Sequence, residues 1–126
     1  MKADGELIKF VTKHCFDPEI ENLDTWTIND PTIGGYPLLH HLGILRYPSR
    51  VKFLLIKGAD INMPGDLGWT AVYYAAAFGY YKTLALLLSN GANPMIENIF
   101  GENVFDFLHR YKNNIQNLLM QYKEKK

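Results

Sequence analysis

Four histidines, one cysteine and a glycine-bounded acidic turn are the residues of this 126-residue chain that could carry chemistry. His40 and His41 are adjacent, so on a helix their side chains diverge by about 100° and do not face one ion together. His14-Cys15 lies well upstream of them, and no spacing among these residues matches a zinc signature. Cys15 as a nucleophile would need a positioned base, and its place in the loop after a first helix fits a buried structural thiol better. Pro64-Gly65-Asp66-Leu67-Gly68 lacks the Lys and Ser/Thr with which a phosphate loop holds its nucleotide. Paired carboxylates such as Glu19 and Glu21 read as solvated helix residues. The expectation is therefore a non-enzyme with no metal and no cofactor.

Length and charge narrow the class further. The length suits one domain and hardly two. Apolar residues make up 48% and charged ones 21%, the balance of an ordinary folded chain and not of a disordered one. Thirteen Lys+Arg meet thirteen Asp+Glu, which argues against nucleic-acid or anionic-membrane partners, since both need a basic surplus. The balance is uneven along the chain: residues 1–30 hold seven acids against three lysines, and residues 110–126 hold five bases against one acid. Two oppositely charged ends could orient a partner, or be no more than solvated helix ends and a frayed lysine tail. A lone cysteine fits a reducing compartment, the acidic start lacks the charge of a signal peptide, and no apolar run reaches membrane-spanning length. A cytoplasmic protein, monomeric when free, is expected.

What must position these residues is a repeat. Gly35, Gly68 and Gly101 stand 33 residues apart, and Gly58-Ala59-Asp60 returns as Gly91-Ala92-Asn93 at the same offset. Leu54-Leu55 returns as Leu87-Leu88, Tyr47 as Tyr80, and Ile28-Asn29 as Ile61-Asn62. Each unit reads as turn, short helix, tight turn, longer helix, turn. In the middle unit Gly65-Asp66-Leu67-Gly68 is turn chemistry, Thr70 is an N-cap, and Ala71–Phe78 is a two-turn helix ended by Gly79. Lys82–Asn90 follows with Leu84, Leu87 and Leu88 on one face, and Gly91 occupies a left-handed C-cap. The last unit opens with Asn103 as N-cap and closes with Ile115, Leu118 and Leu119.

This pattern resembles the ankyrin repeat, carried by Gly68, Thr70, Ala75, Ala76, Gly79, Leu87, Leu88, Gly91, Ala92 and Asn93 in the middle unit. The unit before it matches through Gly35, Leu39, His40, Leu54, Leu55, Gly58, Ala59, Asp60 and Asn62. The resemblance implies an all-α solenoid of about four stacked helix-turn-helix units with hairpin-like turns. The units fall at about 4–30 (N-terminal cap), 31–63, 64–96 and 97–122 (C-terminal cap), with 123–126 as a frayed tail. The family's Thr-Pro-Leu-His segment is degraded to Pro37-Leu38-Leu39-His40, Thr70-Ala71-Val72-Tyr73 and Asn103-Val104-Phe105-Asp106. Only His40 then keeps the histidine expected to hydrogen-bond neighbouring turn backbone. Asp17-Pro18-Glu19 reads as a helix start, and Asn113, Asn114, Gln116, Gln121 and Lys123 make the closing helix polar. These ends suggest a complete solenoid with no attached domain.

In the family, partners dock on the turn tips and on the first-helix face lining the concave side. Mapped onto this chain, the partner-binding positions are Tyr36, Ile44, Leu45, Asp66, Leu67, Trp69, Phe78, Phe100, Glu102, Arg110 and Tyr111. Most are apolar or aromatic at places expected to face solvent, the composition of binding hot spots. Packing between neighbouring first helices is the competing explanation for Leu45, Phe78 and Tyr111. The resemblance thus implies a protein-binding module, in its most concrete form a stoichiometric inhibitor such as an immunity protein neutralising a cognate toxin. The alternative is an adaptor, or a secreted effector fragment that mimics host ankyrin proteins.

Overall fold

The computed structural model describes residues 5–14, 27–29 and 37–124, and within them the chain is helical with no strand. Cys15, the Asp17-Pro18-Glu19 start, Gly35 and Tyr36 lie outside the described residues. The helices are α1 (Gly5–His14), α2 (Leu42–Leu45), α3 (Pro48–Ile56), α4 (Ala71–Ala77), α5 (Tyr81–Ser89) and α6 (Val104–Glu124). A 3-10 turn over Leu38–His40 precedes α2. Helices α2, α4 and the start of α6 pack side by side as one layer, and α3 and α5 form the second. The two layers meet within each unit, α2 on α3 and α4 on α5, so the architecture is a solenoid of stacked helix-turn-helix units.

Three helices end in the same way. At α3, Gly58 N–H donates to the Leu55 carbonyl and Ala59 N–H to that of Leu54. At α4, Gly79 and Tyr80 do the same to Ala76 and Ala75, and at α5, Gly91 and Ala92 to Leu88 and Leu87. The glycines take φ of +98°, +74° and +88°, a left-handed turn that costs any residue with a Cβ. Helix starts are more varied. His41 caps α2, its Nδ1 accepting from the Gly43 N–H at 3.0 Å. Asn103 and Asp106 cap α6 reciprocally, each side chain accepting from the other's backbone N–H. Thr70 holds the N-cap place of α4 as expected, but its side chain makes no capping bond.

The closing unit departs from its neighbours. In the middle unit Gly79 separates α4 from α5, and in the preceding one Pro48 holds Tyr47 extended and separates α2 from α3. The equivalent positions in the last unit are Lys112 and Asn114, which break nothing, so α6 runs unbroken for 21 residues. Nor is that helix polar all round, as its asparagines and glutamines suggested: Phe105, Leu108, Tyr111, Leu119 and Met120 are exposed on it.

Leu38, Leu39, Ile44, Leu45, Val51, Leu54, Val72, Ala75 and Leu87 form the core between the layers. α1 joins it through Leu7 and Val11, with Phe10 stacked on Phe53 at 4.4 Å and Glu6 paired to Lys57 at 2.6 Å. The buried Thr83 hydroxyl donates to the Leu45 carbonyl at 2.7 Å and satisfies an end of α2 that water cannot reach. Asparagines tie one unit to the next: Asn29 Oδ1 accepts from Asp60 N–H at 2.7 Å, and Asn62 Oδ1 from Asn93 N–H at 2.9 Å.

Leu54 and Leu87 are fully buried on successive second helices, as their shared offset implies. Leu87→Ala is expected to cost roughly 2–5 kcal/mol, lost transfer energy plus a cavity. A denaturant titration of the variant measures it, and stability equal to wild type would mean the site collapses without loss.

Candidate functional site

One groove opens on the first-helix side of the stack. His41 and Leu42 wall it from one unit, and Tyr74 and Phe78 on α4 wall it from the next. Asp66 on the intervening turn and the buried His40 complete its lining, and the volume is about 460 Å³. Phe78 is 52% exposed, so its ring is offered to the groove and not spent on the core.

The histidines here are bases that burial keeps neutral. Burial holds His40 down to about 4, and a poorly aligned interaction with the Met63 backbone, short of a well-formed hydrogen bond, offsets that only in part. The turn backbone at Met63 is thus its polar neighbour, and packing contact fixes the ring. The ring lies so close to Gly65 that a Cβ there would stand 2.4 Å from Nδ1, and Tyr74 tilts against it at 5.1 Å. Burial lowers His41 as well. Tyr74 is pushed up by burial and by the negative charge of Asp66, so it stays a neutral hydroxyl. Of the residues lining the groove, Asp66 alone carries a formal charge at neutral pH. The groove therefore presents an exposed aromatic ring beside a single carboxylate. Among the described residues no cluster of three His, Cys, Asp or Glu could hold a metal ion.

Several positions expected at the surface lie elsewhere. Ile44 and Leu45 are 0% exposed. They are equivalent to Ala77 and Phe78 in sequence, but the extended His41 interrupts the first helix of their unit. The four residues of α2 restart the helical phase, and the face that points out in α4 points in here. Trp69 is 8% exposed because its indole folds onto Tyr73, four residues on, at 3.7 Å, with Phe107 edge-on at 6.1 Å. Asp66, Leu67, Phe78, Phe100, Arg110 and Tyr111 are exposed, and the half-exposed Glu102 pairs with Arg110.

The buried indole belongs to a chain of rings crossing three units: His40, Tyr74, Tyr73, Trp69 or Phe107, then Tyr111. Sequence reasoning missed Tyr73, Tyr74 and Phe107. A tyrosine at the place of the segment's histidine, followed at once by a second tyrosine, was the available signal. At the turn tip Leu67 takes φ +56°, a strained conformation for a side chain, while its carbonyl accepts from Ile99 N–H at 2.9 Å.

Two outcomes follow from this geometry. A free imidazole titrates near 6.5 and folded His40 at about 4, so between those values the unfolded chain binds a proton that the folded chain refuses. Stability should fall by up to roughly 3 kcal/mol as pH drops from 6.5 to 4, and be independent of this group above 6.5. Melts of wild type and His40→Leu across that range test it, since the variant should lose that part of the slope. Leu67→Asn should relieve the left-handed strain and raise stability by about 0.5–1 kcal/mol, read as a higher denaturant midpoint at unchanged slope.

Comparison with known proteins gives this geometry its relatives. Residues 39–88 match the family model described as ankyrin repeats in many copies. The chain is 33% identical over 91 residues to an ankyrin repeat protein of Acanthamoeba polyphaga mimivirus, covering 72% of this chain and 22% of that one. It is 31% identical over 91 residues to calmodulin-binding transcription activator 6 of Arabidopsis thaliana, 64% of this chain and 11% of that one. It is 33% identical over 85 residues to a palmitoyltransferase of Lachancea kluyveri, 67% of this chain and 11% of the enzyme. The chain thus spans less than a quarter of the length of each of these relatives.

Proposed function

The chain carries an ankyrin-repeat domain, a module for protein–protein interaction, and from that premise we propose that its groove between α2 and α4 receives a partner segment bearing an apolar or aromatic residue next to a lysine or arginine. The observation that carries this is the pairing of the exposed Phe78 ring with Asp66, the one formal charge on otherwise neutral walls. The ring offers area that water gives up cheaply, and the carboxylate selects the sign of what enters beside it. Arg110, Phe100 and Tyr111 extend the same side toward the last unit and would take the rest of a partner's footprint.

The finer reading is inhibition by occlusion, a stoichiometric complex of which an immunity protein bound to a toxin is the concrete form. The adaptor reading draws on the relatives, where the matched stretch is a small part of a much longer chain. An inhibitor gives one tight one-to-one complex, whereas an adaptor gives several weaker ones.

Phe78→Ala should weaken the partner complex about thirtyfold, the loss of some 2 kcal/mol typical of an aromatic anchor. Asp66→Lys should abolish binding of a basic segment, and Lys82→Ala on the other layer should change nothing. Titrations paired with melts decide it. Normal binding by both groove variants would place the partner on another face.

A further inference from the structure

The loop joining α2 to α3 carries two arginines that the repeat does not require. Arg46 follows α2, and Arg50 lies in the first turn of α3. Their guanidinium carbons stand 5.8 Å and 4.0 Å from the centre of one ring, that of Tyr47, which is itself 42% exposed. The ring gathers two like charges on one short stretch of surface, where they repel each other. One N–H of Arg50 serves the fold, donating to the Gly43 carbonyl near the end of α2 at 2.7 Å. Its other donors, and all those of the Arg46 side chain, meet no carboxylate among the described residues.

The next unit folds without such a pair. The positions equivalent to Arg46 and Arg50, 33 residues on, are Gly79 and Thr83, the one a left-handed turn and the other buried. Nor does the surrounding sequence answer the charge. Between His41 and Ala59 stand four bases, Arg46, Arg50, Lys52 and Lys57, and no acid, and Lys57 is taken by Glu6.

The arginines and Asp66 mark opposite ends of the first-helix layer. Asp66 precedes α4, whereas Phe78 caps the end of α4 and Arg46 the end of α2 beside it. The Thr83 hydroxyl on the Leu45 carbonyl fastens that end of α2 to the unit carrying Phe78. Helix α4 is about 10 Å long, a length that roughly three or four extended residues cover.

We infer that Arg46 and Arg50 take an acidic side chain of the partner segment whose base meets Asp66 and whose apolar or aromatic residue meets Phe78. A guanidinium fork matches the two oxygens of a carboxylate, and Tyr47 orders both forks before the partner arrives. The segment then reads base, aromatic, acid along the groove, and the two opposite charges set the direction in which it lies. The base and the aromatic residue rest on the groove reading above; the acid rests on the arginines alone.

The test is selection on the full chain from a displayed library of random linear peptides. Wild type should select a base beside an apolar or aromatic residue, with Asp or Glu at a constant spacing on the far side of that residue. Changing this acid to its amide in the selected peptide should weaken binding about fivefold. Arg46→Glu should reverse the choice at that position to Lys or Arg and leave the thermal melt unchanged, since the Arg46 side chain touches Tyr47 alone. No acid beside a selected base–aromatic pair, or an acid that Arg46→Glu still selects, overturns the arginine site and leaves the groove standing. An acid that depends on Arg46 but comes without the pair keeps the arginine site and overturns the groove. Enrichment of neither overturns both. A lowered melt for Arg46→Glu also overturns the arginine site, because Arg46 would then be answered within its own chain.

Discussion

Where a helix is allowed to stop decides the shape of this molecule. A left-handed residue after the last turn lets two backbone N–H groups fold back onto carbonyls that would otherwise face nothing, and reverses the chain in three residues. Gly58, Gly79 and Gly91 supply that residue, each with the same pair of closing hydrogen bonds. Where the glycine is replaced by Lys112, helix continues and the stack closes differently. The layered core, the turn tips and the groove between units are all consequences of that one backbone choice made repeatedly.

Two kinds of contact hold the units in register. The asparagine clamps act through backbone, so they are indifferent to which side chains surround them. The chain of rings from His40 to Tyr111 acts through side chains, at separations of 3.7–6.1 Å. Aromatic pairs at such spacings each add about 0.5–1.5 kcal/mol beyond area burial. The Thr-Pro-Leu-His segment is degraded, and His40 keeps its place with only a poorly formed interaction to the Met63 backbone. Stacked rings take over part of the work that hydrogen bonds leave undone.

How much of this was legible in the sequence differs by kind of residue. Backbone-determined features read well: glycines at a fixed offset gave the reversals, α4 and α5 begin and end within one residue of expectation, and Asn103 caps α6. Features that depend on helical phase read poorly. Ile44 and Leu45 sit at positions that face out one unit later, and an extended His41 turns them in, a kink no periodicity announces. Trp69 was misread because a residue beside a turn glycine was expected to point outward, while stacking on Tyr73 outweighs exposure. The continuous α6 was legible in the missing glycine at position 112, but the apolar pattern beyond it reads equally as a second helix.

The asparagine clamp also gives the chain a direction of growth. Each clamp reaches forward: Asn29 Oδ1 accepts from the backbone N–H of Asp60, and Asn62 Oδ1 from that of Asn93. A tandem duplication of a 33-residue stretch carrying Asn62 would hand that grip on intact, since the copy both receives a clamp and offers one. A duplication of the stretch carrying Met95 would receive a clamp and offer none. Duplicating an interior unit therefore keeps the ladder of clamps continuous, and duplicating the stretch that carries Met95 leaves a gap in it.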